Sequence, residues 1–339
     1  SASRIARLAA VLLVGVPARF LPNVGRRARP ARALSTNLVL CAVLGLTFLA
    51  EPTAAQDVAD DDTAIEAPTE ESRRTQTVDE LEQAIERAIE AENYSLALER
   101  IEDARERFPR DARFPRYAAE LYYRERMFDS SRRMWEEAIA LGAGDYPARY
   151  QLSRTLARLN RNGEAITMLE SLHRRIPEDT GIVDDLAWLY YKENRLADAE
   201  RILTDALAEH GPNRDLSMTL ATVFAGRFDY EAAAREYEKA ITAAQEENDR
   251  FFLAVAYYNQ SILHANFYRW DEAYRAAERS LEMVERSSGY LMRSELELQR
   301  FDLASALKDI ERALALDATS ALAQLTLAAV SIPAGDPDR

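Results

Sequence analysis

The side chains here best suited to metal or acid–base chemistry are three histidines, His173, His210 and His264. None lies within four residues of another, so no single helix face offers a two-histidine metal site. Carboxylate pairs such as Asp184–Asp185 are abundant. Among 57 acidic residues they read as solvated faces rather than acid–base dyads. No glycine-rich phosphate loop and no nucleophile elbow occurs. These residues give no support for an enzyme, a bound metal or a cofactor. A different set points to binding. Between residues 116 and 192, cations and aromatics crowd together: Arg116, Tyr123, Arg124, Tyr150, Arg154, Arg158, Trp188, Tyr191 and Lys192. Cations beside aromatic rings hold carboxylates and stack on peptide or sugar groups.

What positions these residues is a repeat. From Val78, units begin at Ala112, Tyr146, Thr180 and Arg214, each 34 residues on. Further units begin at Ala254, Ser287 and Ala321. The eighth position of each unit is small almost throughout: Ile85, Ala119, Ser153, Ala187, Ala221, Ser261, Ser294, Ala328. The twentieth reads Ala97, Ser131, Ala165, Ala199, Ala233, Ala273, Ala306. The twenty-seventh reads Ala104, Ala138, Leu172, Ala206, Ala240, Ser280, Ala313. Between those two, the twenty-fourth is mostly large and apolar, as in Ile101, Trp135, Leu169, Leu203, Tyr237 and Ile310. Apolar residues recur at helical spacing, as in Leu152, Leu156 and Leu159, and strand signals are nearly absent. Pro109 and Pro177 stand where a second helix would stop.

A 34-residue period with small residues at these positions resembles the tetratricopeptide repeat (TPR) family over residues 78–339. The resemblance implies an all-α, right-handed TPR α-solenoid of about seven helix-turn-helix units plus a half unit. It implies a rigid array in which each unit packs on its neighbours. It also implies that positions 5, 9, 12 and 13 of each first helix line the inner, concave groove. Units two to four place there the cations and aromatics named above, together with Glu120; Tyr117 and Gln151 border the surface. The family's peptide-carboxylate clamp uses Lys and Asn at set positions, and these are absent here in that order. Tyr122 and Tyr190 fall on core positions, so nearby tyrosines also read as packing. A second aromatic cluster, from Phe251 to Tyr274, reads mainly as core, with a partner site as its alternative.

The frame breaks in two places. Six extra residues fall around Ala243–Arg250 and are expected to lengthen a helix or loop. Unit seven puts Arg293 and Glu297 where an apolar pair is expected, and a weak joint is expected at Ser287–Gly289. Gly335-Asp336-Pro337 match a turn, so a further helix, or a domain, is expected beyond Arg339.

The ends differ from the array. Arg26, Arg27, Arg29 and Arg32 precede a 13-residue apolar run, Leu38–Ala50, followed by Thr53-Ala54-Ala55. Residues 1–55 therefore read as a secretory signal, over-extended at its start, with an alternative start near Val24. The run is too short for a bilayer span. Cys41, the single cysteine, lies inside it. Residues 56–77 read as a disordered acidic tether. Residues 78–253 hold units one to five with the insert; residues 254–339 hold units six, seven and part of an eighth. The whole chain carries a net charge of −14, which argues against nucleic acid and anionic lipid as partners. The sum of these observations is an exported scaffold, periplasmic or secreted, that takes a protein or peptide partner, an acidic one if the arginines hold it. An adapter arm of a larger protein with a C-terminal enzyme or outer-membrane barrel is the alternative, and glycan binding a minor one. Oligomeric state is left open.

Overall fold

The computed structural model describes residues 77–331; the expected signal, most of the tether and the end of the chain lie outside them. Among the described residues there are fifteen helices and no strand. The first helices of repeats one to five start where the sequence supplies side-chain caps. Thr77, Asp111, Asp145, Asp179 and Asn213 recur every 34 residues, each accepting a backbone N–H at a helix start. Such caps satisfy amides that have no partner within the helix. Thr77 and Glu80 complete a reciprocal capping box.

Residues 77–243 form one body. Its helices are α1 (Val78–Glu90), α2 (Tyr94–Arg107), α3 (Arg113–Arg124), α4 (Phe128–Ala140), α5 (Tyr146–Arg158), α6 (Asn162–His173), α7 (Thr180–Lys192), α8 (Leu196–His210), α9 (Arg214–Gly226) and most of α10 (Tyr230–Glu246). Residues 244–331 form a second body, with α11 (Arg250–Asn266), α12 (Trp270–Met283), α13 (Ser287–Gln299), α14 (Leu303–Leu316) and α15 (Ala321–Ser331). The six extra residues lengthen helices: α10 and α11 each run 17 residues, against 12 to 15 for α1 to α9.

The small positions are the floors of the helix crossings. Ala119, Ser153, Ala187 and Ala221 are fully buried, as are Ala97, Ser131, Ala165 and Ala199. With no bulk at these points, two helices approach closely and the large residue one turn away fills the remaining space. Trp135, Leu169 and Leu203 do this in successive repeats. Burying each such leucine stabilises the fold by roughly 1.5–3 kcal/mol. Serine serves at a small position because its hydroxyl reaches across: Ser131 Oγ donates to the Ala119 carbonyl at 2.8 Å, and Ser280 Oγ to the Ala254 carbonyl at 2.7 Å. Ala328 departs from the pattern and is exposed.

Each first helix ends the same way. Glu92, Arg126, Asn160, Asn194, Phe228, Tyr268 and Phe301, all at position fifteen, adopt positive φ between 55° and 61°. The next residue then donates its N–H to the carbonyl five residues back, as Arg161 to Leu156 at 2.9 Å and Asp302 to Glu297 at 2.9 Å. This is the left-handed helix stop that satisfies otherwise orphaned carbonyls.

The joint expected at Ser287–Gly289 lies earlier. Val284–Arg286 is the extended link, and Ser287–Gly289 form the buried first turn of α13. Gly289 is needed there, because a Cβ would stand 2.8 Å from a methyl of Leu281. The polar pair of repeat seven is also held. Arg293 donates two hydrogen bonds to Asp309, and buried Glu297 faces the Tyr274 hydroxyl at 3.4 Å.

Candidate functional site

The first helices α3, α5, α7 and α9 stand side by side, and contacts between neighbours repeat at a spacing of 35 residues. The Tyr117 hydroxyl lies 3.0 Å from Glu82 and 2.8 Å from Glu86. Tyr150 and Asp185 share a hydrogen bond. Thr219 donates to Asp184 at 2.5 Å. In each case position 5 of one repeat meets position 6 of the next. These polar rungs fix how adjacent first helices face each other along the groove side.

The nine residues singled out by sequence fall into separate groups on these helices. Arg116 turns toward Asp145, 3.5 Å away, which caps α5. Arg124 hydrogen-bonds the Tyr94 hydroxyl at 2.8 Å and lies over its ring. Tyr123 sets its ring edge against Phe128, and the Arg158 guanidinium covers the same Phe128 ring at 5.0 Å. Phe128 thus gathers two of the nine, and nothing in their spacing marks it. Tyr150 stacks on Tyr146 with ring centres 5.9 Å apart. Arg154 lies 6.0 Å over the Tyr150 ring and 3.9 Å from Asp185. Trp188 stacks on Tyr191 at 5.4 Å. Tyr191 is wedged against Gly226, where a Cβ would stand 2.8 Å from the tyrosine ring. Lys192 makes no ion pair among the described residues, and Arg154 is the exposed cation of α5. Much of the set is therefore engaged within the protein, and Arg154 and Lys192 are the cations least committed.

The carboxylates beneath them correct the reading of Asp184–Asp185 as a solvated pair. Burial pushes Asp184 up to about 7, against the opposing hydrogen bond from Thr219; the charges of Asp185 and Asp215 add to the rise. Burial also raises Asp185, with Tyr150 and Arg154 pulling the other way. Tyr150 itself lies well above the ordinary phenol range, first through burial and then through the charge of Asp185. The site is a half-buried acid–tyrosine layer carrying an exposed arginine. The signal that finds these acids is the 35-residue offset to Tyr150 and Thr219, not their adjacency to each other.

The histidines meet across repeats. His173 and His210 both line a cleft of about 210 Å³ between α6 and α8, floored by Leu186, Ile202 and Ala206. Tyr190 donates to Glu170 at its side. Among the described residues no group of three metal-capable side chains converges, and no helix is long and apolar enough to cross a membrane.

No family model matches the chain. Over 86 residues, 25% of its length, it is 36% identical to a TPR repeat-containing protein of Pseudomonas aeruginosa, and the match spans only 13% of that relative. The fold is similar to a crystal structure of a tetratricopeptide repeat protein from Parabacteroides merdae, with TM-score 0.65 and 14% identity over 75% of this chain and 98% of that one. It is also similar to the APC/C hetero-tetramer Cut9–Hcn1, with TM-score 0.55 and 15% identity over 69% of this chain and 48% of that one. At such identities the likeness extends to the fold alone. Repeat length, buried small positions and these neighbours agree: the chain has the tetratricopeptide-repeat fold.

Proposed function

We propose that this chain is a non-catalytic scaffold of the bacterial periplasm or envelope, holding a partner protein segment against its first helices. The observation that carries this reading is the inner row of α5 and α7. Exposed Arg154 and unpaired Lys192 stand there beside the stacked Tyr146–Tyr150 and Trp188–Tyr191 rings. An acidic side chain of the partner would sit on the cations, and its backbone or apolar groups on the rings. The similar Cut9–Hcn1 structure is itself an assembly of two kinds of chain, which supports a binding role for the fold. The net charge of −14 disfavours a polyanion.

A photo-crosslinking residue placed at position 154 in the producing cell tests the site. It should trap a partner, whereas one at position 205, in the cleft between α6 and α8, should not. Arg154→Glu with Lys192→Glu should lower crosslinking from a neighbouring groove position at least fivefold. Equal adducts at both positions defeat the groove reading. N-terminal sequencing of the mature chain tests its export: a start near Gln56 supports a removed signal.

A further inference from the structure

We infer that the inter-helix turns of repeats six and seven form a ridge that rests in the interface of a zwitterionic lipid membrane. The ridge belongs wholly to the second body. Its crest is Tyr268 and Phe301, which are 64% and 92% exposed. Both adopt positive φ, a conformation that bulky side chains rarely take. The turn itself does not require a ring. Asn160 and Asn194 occupy the same repeat position with φ of 59° and 57°, and asparagine tolerates that conformation. Glu92, Arg126 and Phe228 stand at that position too, so the φ belongs to the helix stop. What sets repeats six and seven apart is a pair of exposed rings on adjoining turns, where a small polar residue serves in repeats three and four.

The surroundings favour lipid over other occupants. Trp270 meets the Tyr268 ring edge-on at 5.7 Å, and Leu303 beside Phe301 is 41% exposed. Arg300 is bonded to Asp271, which ties the two turns together, and Arg269 lies 3.8 Å from Glu272. The local charges are thus paired internally, so the ridge offers no net attraction to a polyanion or to anionic lipid. Four such side chains, wholly buried, would cover roughly 600–1,000 Å², but Leu303 and Trp270 are already mostly covered, so the ridge offers less than the roughly 800 Å² per partner of a stable association. A second copy of the chain is therefore a poor fit. A narrow protruding crest also needs a matching hollow in a protein partner, whereas a lipid interface deforms around it. Tyr, Trp and Phe with adjacent arginines match the chemistry of the headgroup boundary.

The test uses the full chain carrying Trp135→Phe and Trp188→Phe, so that Trp270 is the only tryptophan. Vesicles of phosphatidylcholine with brominated acyl chains should quench its fluorescence at least twofold. Tyr268→Asn with Phe301→Asn should restore the unquenched intensity without lowering the melting temperature. With all three tryptophans kept, the same two asparagines should lower cosedimentation with phosphatidylcholine vesicles about fivefold. Absence of quenching overturns the proposal, even if the chain sediments with vesicles, because attachment would then lie elsewhere. Quenching or sedimentation unchanged by the asparagines overturns it too. A dimer that the asparagines dissociate, without any lipid quenching, assigns the ridge to a second copy instead.

Discussion

Arg293 grips Asp309 through two hydrogen bonds, 2.6 and 2.8 Å long, across the helix pair of repeat seven, and the aspartate side chain is only 5% exposed. In repeats two to four both of these positions are apolar, as in Leu152 and Met168 or Leu186 and Ile202. A buried ion pair of this kind is costly to break and cheap to replace as a whole. Asp309→Ala should destabilise the second body by about 3 kcal/mol, since it strands the guanidinium. Arg293→Met combined with Asp309→Leu should recover most of that loss. Urea unfolding of the three chains gives the answer, and equal losses in single and double variants would refute the coupling.

Two carboxylates, Glu297 buried and Asp184 half-buried, set a pH dependence. Burial raises Glu297, with the charge of Asp309 adding to it, and burial raises Asp184, both to about 7 from 4.5 and 3.8. Each therefore binds a proton more tightly folded than unfolded. Their contribution is neutral below the unfolded values and turns unfavourable as pH rises toward and past 7. Glu297→Gln and Asp184→Asn mimic the protonated forms. Each variant should match its parent in melting temperature near pH 4 and exceed it at pH 8. A variant less stable than its parent at pH 8 would contradict this.

Fully buried Ala187 lies at a helix crossing, whereas Ala328 at the same repeat position is exposed. Ala187→Leu should cost roughly 1–3 kcal/mol through overpacking, and Ala328→Leu less than about 0.5 kcal/mol. Comparable losses at both sites would show that the crossing is not where the fold places it.

Gly226 leaves room for the Tyr191 ring. Gly226→Ala should push Tyr191 off Trp188 and change the tryptophan near-ultraviolet dichroism. The same change should weaken partner crosslinking from a neighbouring groove position less than Arg154→Glu does. Identical spectra would mean that the ring has another place to go.

The array was legible in the sequence because its demands are local and repeated. A small residue at Ala119, Ala165 or Ala199 has one structural reason, and that reason recurs every 34 residues. The caps were equally periodic, from Thr77 to Asn213, yet attention to prolines at unit ends passed over them. The half-buried acids were not legible from composition. In a chain with 57 acidic residues a carboxylate reads as solvated, and only the adjoining repeat, through Tyr150 or Thr219, partly covers Asp184 and Asp185. The groove was legible as a set of residue types but not as contacts. Tyr123 and Arg158 meet on Phe128, the first residue of α4, two residues after the left-handed stop at Arg126.

That recurring stop also divides the protein mechanically. Helices of the array pack mainly on their sequence neighbours; each of repeats one to seven has its own reversal, and all but repeat seven have their own starting cap. A chain held at its two ends and pulled would therefore yield in steps. Each step would release one repeat and lengthen the molecule by roughly 110–120 Å of extended chain. An array built in this way can absorb force repeat by repeat while the remaining repeats keep their packing intact.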